Sequence, residues 1–328
     1  MYRNLLFFCV ILCSILACEK AESKKEFIEI TTAAGPEDIV LDEANSRILV
    51  SCDERRPGQP EHGAIWQIRL SDDVSTALPV AGLPEMPFHP HGFDLRRVGD
   101  VDYLYVINHY KDEAYTNSVL QLRVEAEQLV FVREFKHPLL ISPNDLFVLE
   151  NGAFYFTNDK NSGNLLDLIT NPSAGSVVYC DGDDNWKKVD SALAFPNGLY
   201  AEGNTLFLST SRNQALFTYD MQPDGSLRNR KVLSTINGMD NLTSYKDELV
   251  VSVHPNELQF ALLSYLPATL SPSKSFAINK KTGRYTPLFS DDGSRISGAS
   301  TTIIHGKDLY LAQVFGEYVL KVKNFQGY

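Results

Sequence analysis

The sequence predicts an all-β fold in which six four-stranded blades close into a single β-propeller. Two observations carry that prediction. A weak motif recurs six times: a three-residue polar or turn cluster, an apolar stretch, a turn, and a second strand rich in Val, Ile, Leu, Tyr and Phe. Apolar residues also alternate over short runs bounded by Gly, Asn and Asp, and helical spacing is not sustained over comparable lengths. Self-similarity at a fixed period marks a repeat architecture.

The copies open at Pro36-Glu37-Asp38, Pro90-His91-Gly92, Pro143-Asn144-Asp145, Pro196-Asn197-Gly198, Met239-Asp240-Asn241 and Gly298-Ala299-Ser300. These openings lie 54, 53, 53, 43 and 59 residues apart, which suits one four-stranded blade each. In the fourth copy Phe195-Pro196-Asn197-Gly198-Leu199-Tyr200 leads through the turn Glu202-Gly203-Asn204 into the strand Thr205 to Ser209. Further strands are expected at Gly63 to Leu70, Ser118 to Val124, Leu129 to Phe135 and Ala215 to Tyr219. Residues before Pro36 can add an outer strand to the last blade. Radial closure protects the sheet edges, so residues 31–328 read as one domain.

The 328 residues carry 41 acidic against 30 basic side chains, a net charge of -11, with no Lys/Arg-rich stretch. A phosphate backbone is bound through a concentrated basic face, so a nucleic-acid partner is excluded. Met1 to Cys18 carry one charge, Arg3, followed by an apolar run from Leu5 to Leu16, the layout of an export signal. The run is short for a membrane span. It ends Ile15-Leu16-Ala17-Cys18, which resembles a bacterial lipobox. The expectation is a signal peptide over 1–17, then a lipidated Cys18 and a polar tether over 18–30. The protein would then be a lipoprotein held to a bacterial membrane, in the periplasm or at the cell surface; ordinary secretion and an uncleaved anchor are the alternatives. Cys9 and Cys13 leave with the signal, and Cys52 and Cys180 read as buried free thiols rather than a disulfide.

In a propeller the first strand of each blade lines the central channel, and equivalent positions converge on the axis. The second position around the ring reads Glu37, His91, Asn144, Asn197, Asp240, Ala299; the third reads Asp38, Gly92, Asp145, Gly198, Asn241, Ser300. Carboxylates crowded in a narrow channel repel one another and lose hydration, and a bound cation is the natural compensation. Apart from His91, the candidate ligands are hard oxygens, which favours Ca²⁺ over zinc or copper. The competing reading is a water-filled polar channel.

These motifs, together with Val106-Ile107-Asn108-His109, Thr157-Asn158-Asp159 and His254-Pro255-Asn256, resemble the paraoxonase/arylesterase family from Gly35 to Phe315. The resemblance implies a lactonase on a six-bladed propeller with two Ca²⁺ ions. Carried over by position, it implies a catalytic Ca²⁺ on Glu37, Asn144, Asn197, Asp240 and Asn241. A structural Ca²⁺ would sit on Asp38, Asp145 and the backbone carbonyl of Phe93. His91 and His109 would form a catalytic dyad with His91 as base, acting on a small lactone or ester. His254 would line the substrate pocket or cap a blade. His62, His89, His137 and His305 have no positional argument. Met86-Pro87-Phe88 and Ala261 to Leu266 read either as apolar walls of an entrance or as ordinary inter-blade loops, and Asn241-Leu242-Thr243 is discounted as a glycosylation site because it lies in the channel.

No Gly-x-Ser-x-Gly elbow, Walker loop or His-Glu-x-x-His helix is present. The chain departs from the animal enzymes in having no cysteine near its end to tie the last strand to the first. Two readings compete with the two-calcium lactonase: a sugar lactonase of the gluconolactonase group, and a non-catalytic ligand-binding propeller.

Overall fold

The computed structural model describes residues 25–59, 63–70, 75–110, 116–160 and 172–325. The signal segment, Cys18 and His62 lie outside them. Each repeat folds into one antiparallel four-stranded sheet, and five of the six innermost strands begin where the motifs do. The sixth begins one residue later, at Ala299, so Ser300 and Thr301 rather than Ala299 and Ser300 are the ring equivalents. The innermost strands are Pro36–Asp42, Pro90–Val98, Pro143–Val148, Pro196–Glu202, Met239–Tyr245 and Ala299–His305. Five blades run outward in chain order. The sixth takes its outermost strand from the other end of the chain, Glu26–Thr31, which pairs antiparallel with Tyr318–Lys323.

That strand corrects the expected tether. Residues 26–30 belong to the propeller, because Ile28 and Ile30 alternate inward and pack on the core that joins the sixth blade to the first. Cys52 and Cys180 are buried and free, so ring closure rests on strand pairing. Thr31 pairs with Tyr318 at the end where the inner strands begin, and Glu26 pairs with Lys323 at the opposite end.

Neighbouring blades are joined by apolar clusters. Tyr105, Phe135 and Phe154 pack with Trp186 between the second and third blades. Full burial of such side chains contributes about 1.5–3 kcal/mol each. Met86 and Phe88 belong to the cluster between the first and second blades, so this segment is core rather than pocket wall. Arg47, 1% exposed, spans the same junction. Its guanidinium donates to Asp42 Oδ2 at 2.8 Å, Gln67 Oε1 at 3.0 Å and the carbonyls of Ala126 and Glu125 at 2.8 and 3.0 Å. A buried charge is tolerated when its donors are matched in this way.

One irregularity recurs in all six blades. The register between the inner strand and its neighbour breaks directly after the residue that opens the inner strand, from Pro36/Asp38 to Ala299/Thr302. A bulge re-aims the side chains it carries. At Gly92 and Gly198 the inner strands approach so closely that a Cβ would lie 2.4 Å from the Asn144 carbonyl oxygen or 2.5 Å from the Leu242 amide nitrogen. Only glycine fits there.

Candidate active site

The bulges separate the ring into two layers. Second-position residues Glu37, His91, Asn144, Asn197 and Asp240 line a cavity of about 340 Å³ at the mouth where the inner strands begin. Third-position residues Asp38, Asp145 and Asn241, with Phe93, line a deeper cavity of about 230 Å³. Ala299 and Ser300 are buried and line neither.

In the mouth layer Glu37 Oε2, Asn144 Oδ1, Asn197 Oδ1 and, reaching up from below, Asn241 Oδ1 are buried without a hydrogen-bond partner. Leaving one such group unmatched costs about 1–3 kcal/mol, so four from four blades need a common explanation. The backbone of the mouth ring is held from behind at four of its residues. Hydroxyls from adjoining blades donate to the carbonyls of His91 (Ser51, 2.7 Å), Asn197 (Thr157, 2.9 Å) and Asp240 (Ser209, 2.6 Å), and Ser300 donates to that of Glu37. Asn241 Nδ2 donates to Glu37 Oε1 and Thr301 Oγ1, each at 2.9 Å, which turns its Oδ1 away. Among the described residues no three His, Cys, Asp or Glu side chains cluster as a metal site. The donors are instead mostly amide oxygens with carboxylates added, a set that fits a hard cation such as Ca²⁺.

The deeper layer is hydrogen-bonded but crowded with charge. Asp38 Oδ1 accepts from Ile39 N (2.8 Å) and Thr301 Oγ1 (2.9 Å), and its Oδ2 from Phe93 N (3.1 Å). Asp145 accepts from Leu146 N (2.8 Å) and Leu199 N (2.7 Å). Burial pushes the Asp38 carboxyl up to about 7. Burial, then the charge of Asp38, drives both Asp145 and Glu37 well above the usual carboxylate range. Such a group holds a proton or needs a cation.

The two histidines meet as expected. His91 Nδ1 lies 2.7 Å from His109 Nε2, and His109 Nδ1 lies 2.6 Å from Asn117 Oδ1. Burial holds His91 well below the usual imidazole range and brings His109 down to about 4, so both are neutral at pH 7. His91 Nε2 is 3.7 Å from Glu37 Oε2, beyond hydrogen-bond reach. His254 lies in the mouth rather than capping a blade: its Nε2 is 2.6 Å from Asp240 Oδ2, and its ring stacks on Phe260 at 3.8 Å.

Phe260 comes from α1, Glu257–Leu263, the one helix named among the described residues. With Phe195, Ala261, Tyr265, Val314 and Phe315 it makes an apolar wall, so one of the two candidate wall segments is in place. Asn158 orders a loop, accepting from the amides of Ile141 and Ser142 at 3.0 and 2.9 Å. His89 sits behind the dyad, 3.3 Å from Asp53, and His137 stacks on Trp186. His305 ends an inner strand.

Two residues escape the sequence reading, and a third, Asp159, is named in its motif without a role of its own. Asn117 buttresses His109. Arg55 donates to the carbonyls of Gly35 (2.9 Å), Asp53 (3.0 Å) and Pro90 (2.8 Å), tying together the chain ahead of Glu37 and His91. Its charge also opposes the upward shift of Glu37. Asp159 lines the mouth with a buried, partnerless Oδ1. All three lie outside the repeat openings; for the first two the adjacent pair Arg55-Arg56 was the only signal, and a weak one.

The description "Arylesterase" belongs to the family whose model matches residues 59–320. Serum paraoxonase/lactonase 3 of Mus musculus is 26% identical over 287 residues, covering 81% of this chain and 80% of its own length. Serum paraoxonase/arylesterase 2 of Canis lupus familiaris is 25% identical over 274 residues, covering 79% and 76%. Among solved structures, a gluconolactonase of Xanthomonas campestris superposes with a TM-score of 0.62 at 14% identity over 92% of this chain and 90% of that one, a likeness of fold.

Proposed function

Because the chain belongs to the arylesterase family, we propose that it is a calcium-dependent hydrolase of lactones and aryl esters. The observation that carries this reading is the set of four partnerless oxygens beside a neutral histidine pair, under an apolar wall. Glu37, Asn144, Asn197, Asp240 and Asn241 would hold a catalytic Ca²⁺, and Asp38, Asp145 and the Phe93 carbonyl a structural one. Bound in the mouth, the ion supplies Lewis-acid polarisation of the substrate carbonyl.

The remaining work belongs to the chain. The wall of Phe195, Phe260, Val314 and Phe315 binds the acyl or aryl portion and excludes water from that side. His91 takes a proton from the attacking water and returns it to the departing alkoxide, general base then general acid. His109 orients His91 and shares the positive charge.

One observation favours a second reading, a lactonase of polyhydroxylated rings. The partnerless Oδ1 of Asp159 in the mouth is suited to a substrate hydroxyl.

The deciding experiment assays γ- and δ-lactones of increasing acyl length, phenyl acetate and gluconolactone, with Ca²⁺ and after chelation, alongside Asn197→Ala and His91→Gln. Turnover of alkyl lactones and phenyl acetate that chelation abolishes, and that both substitutions lower in folded protein, is expected. Preference for gluconolactone moves the assignment to the second reading. No turnover by folded, calcium-loaded protein overturns both and leaves a binding propeller.

Export and a lipid anchor at Cys18 are part of the proposal and rest on the N-terminal sequence. Fatty-acid labelling in a bacterial host, absent in Cys18→Ala, is expected; equal labelling of both would exclude that anchor.

A further inference from the structure

We propose that Asn117 is a positioning residue that fixes the tautomers of both histidines, so that the nitrogen of His91 left to accept a proton is Nε2. This inference rests on the hydrolase reading above, but its central claim is about proton positions and can be read without turnover.

The argument starts from an amide whose orientation is settled. Asn117 is 6% exposed, and its Nδ2 lies 3.1 Å from each of Thr116 Oγ1, Leu140 O and Ile141 O. The two carbonyls can only accept, so the NH₂ group must face them. Oδ1 therefore faces His109 Nδ1, at 2.6 Å. An amide oxygen cannot donate, so the hydrogen is on His109 Nδ1.

In a neutral imidazole the other nitrogen is then a bare acceptor. His109 is kept neutral by burial, which makes its Nε2 that acceptor. His91 Nδ1, 2.7 Å away, must donate to it. The same rule applied once more leaves Nε2 of His91 without a hydrogen, on the ring that lines the mouth beside Glu37. Three side chains thus form a directed chain of donors that ends in one lone pair.

His254 provides an internal contrast. Its Nε2 faces the carboxylate of Asp240 at 2.6 Å, so that nitrogen carries the hydrogen. The two histidines of the mouth therefore donate from different nitrogens, His254 from Nε2 to a carboxylate and His91 from Nδ1 into a chain that ends on a buried amide.

In the proposed step a water O–H bond breaks as its proton goes to His91 Nε2. The water oxygen bonds to the carbonyl carbon, whose π pair moves onto the carbonyl oxygen. When that pair returns, the bond to the alkoxide breaks and the alkoxide takes the proton from Nε2. Acid and alcohol are formed, and Asn117 keeps its hydrogen bond to His109 throughout. Without an acceptor at Asn117, His109 is free to carry its hydrogen on Nε2. The pair then reverses and Nε2 of His91 is already protonated.

Two substitutions in the full chain separate this role from simple support of the Leu140-Ile141 segment. Asn117→Leu removes the acceptor and the donors; Asn117→Asp keeps the acceptor and loses the donors. Positioning predicts that Leu lowers kcat by about 10²–10⁴ with KM changed less than about threefold, the scale of a misdirected tautomer. It also predicts that Asp stays within about tenfold of the parent although its melting temperature falls. A supporting role alone predicts Asp at least as impaired as Leu, and that result overturns the proposal.

Nitrogen-15 NMR of histidine-labelled protein, with His91 assigned from His91→Gln, reads the tautomer directly and needs only the unsubstituted chain should Asn117→Leu fail to fold. Protonated Nδ1 and bare Nε2 on His91 are expected, and the reverse overturns the proposal. The expected tautomer in a protein that hydrolyses nothing supports the inference and removes the hydrolase reading.

Discussion

The two layers of the channel sit one residue apart on the same strands, yet they leave opposite things unfinished. In the mouth, side-chain oxygens of Glu37, Asn144 and Asn197 lack donors, as does that of Asn241 from the layer below, while hydroxyls hold the carbonyls of Glu37 and Asn197. In the deeper layer the carboxylates of Asp38 and Asp145 are served by main-chain amides, and what remains is excess negative charge. The deep layer is therefore built into the backbone and would keep its shape without an ion. The mouth layer presents ligands that the fold itself does not use. This difference separates a role in stability from a role in chemistry, and each of the following measurements presses on it.

The largest expected effect is on stability, from Asp145→Ala. It strips acceptors from the amides of Leu146 and Leu199, at about 1–3 kcal/mol for each buried amide. Chemical denaturation should show a loss of roughly 2–6 kcal/mol, together with loss of most of the thermal stabilisation by Ca²⁺. A variant as stable as the parent would erase the distinction between the layers. Next is Glu37→Gln, expected to lower kcat by about 10²–10³ while leaving the chelated protein as stable as before or more so, since it removes a buried negative charge beside Asp38. A matching loss of stability would show that the mouth also supports the fold.

A smaller effect is the pH dependence of the chelated protein. Folding raises the Asp38 carboxyl to about 7 and holds Asp145 and Glu37 well above the usual carboxylate range, so the folded chain binds more protons than the unfolded one above about pH 4. Their contribution to stability is full at low pH and is lost as pH rises through the folded values. His109 acts in the opposite sense, destabilising as pH falls below the unfolded value near 6.5. His91 is depressed in the same way, and the histidine effect fades by about pH 7.5, so between about pH 7.5 and 8.5 the carboxylate effect dominates. The melting temperature should therefore fall across that window after chelation and stay level with Ca²⁺; a flat profile without calcium would contradict the crowding.

The smallest is a null result: burial pushes the Cys52 and Cys180 thiols up to about 12, so a thiol reagent should label neither in native protein at pH 8. Rapid labelling would show that the blades open locally.

Five blade openings and their ring residues are legible because a repeated bulge is built from short polar residues, proline and glycine, and the copies betray one another; the sixth, Gly298-Ala299-Ser300, lacks that signature and falls one position early. The division into layers is not legible, because neighbours such as Glu37 and Asp38 are assigned to opposite cavities by a register break that leaves no mark in composition. Asn117 and Arg55 escaped because each reaches the site from outside the repeated segment, Asn117 on the approach to the second blade's third strand and Arg55 in a loop. Met86 and Phe88 stay open between pocket wall and inter-blade packing in the sequence, because an apolar run looks the same whether it faces a pocket or a neighbouring sheet; the structure selects the packing. The tether was drawn too long because its last residues alternate like a strand only once a partner, Tyr318–Lys323, is known.

The closing strand Glu26–Thr31 runs toward the mouth, so its first residue lies at the far end of the propeller. Anything that holds the protein by the chain ahead of Glu26, whether a bilayer or a resin, grips the base and turns the opening outward. Reactants would then reach the enzyme from the surrounding fluid rather than along the supporting surface. A column charged through that end would keep its openings toward the flow.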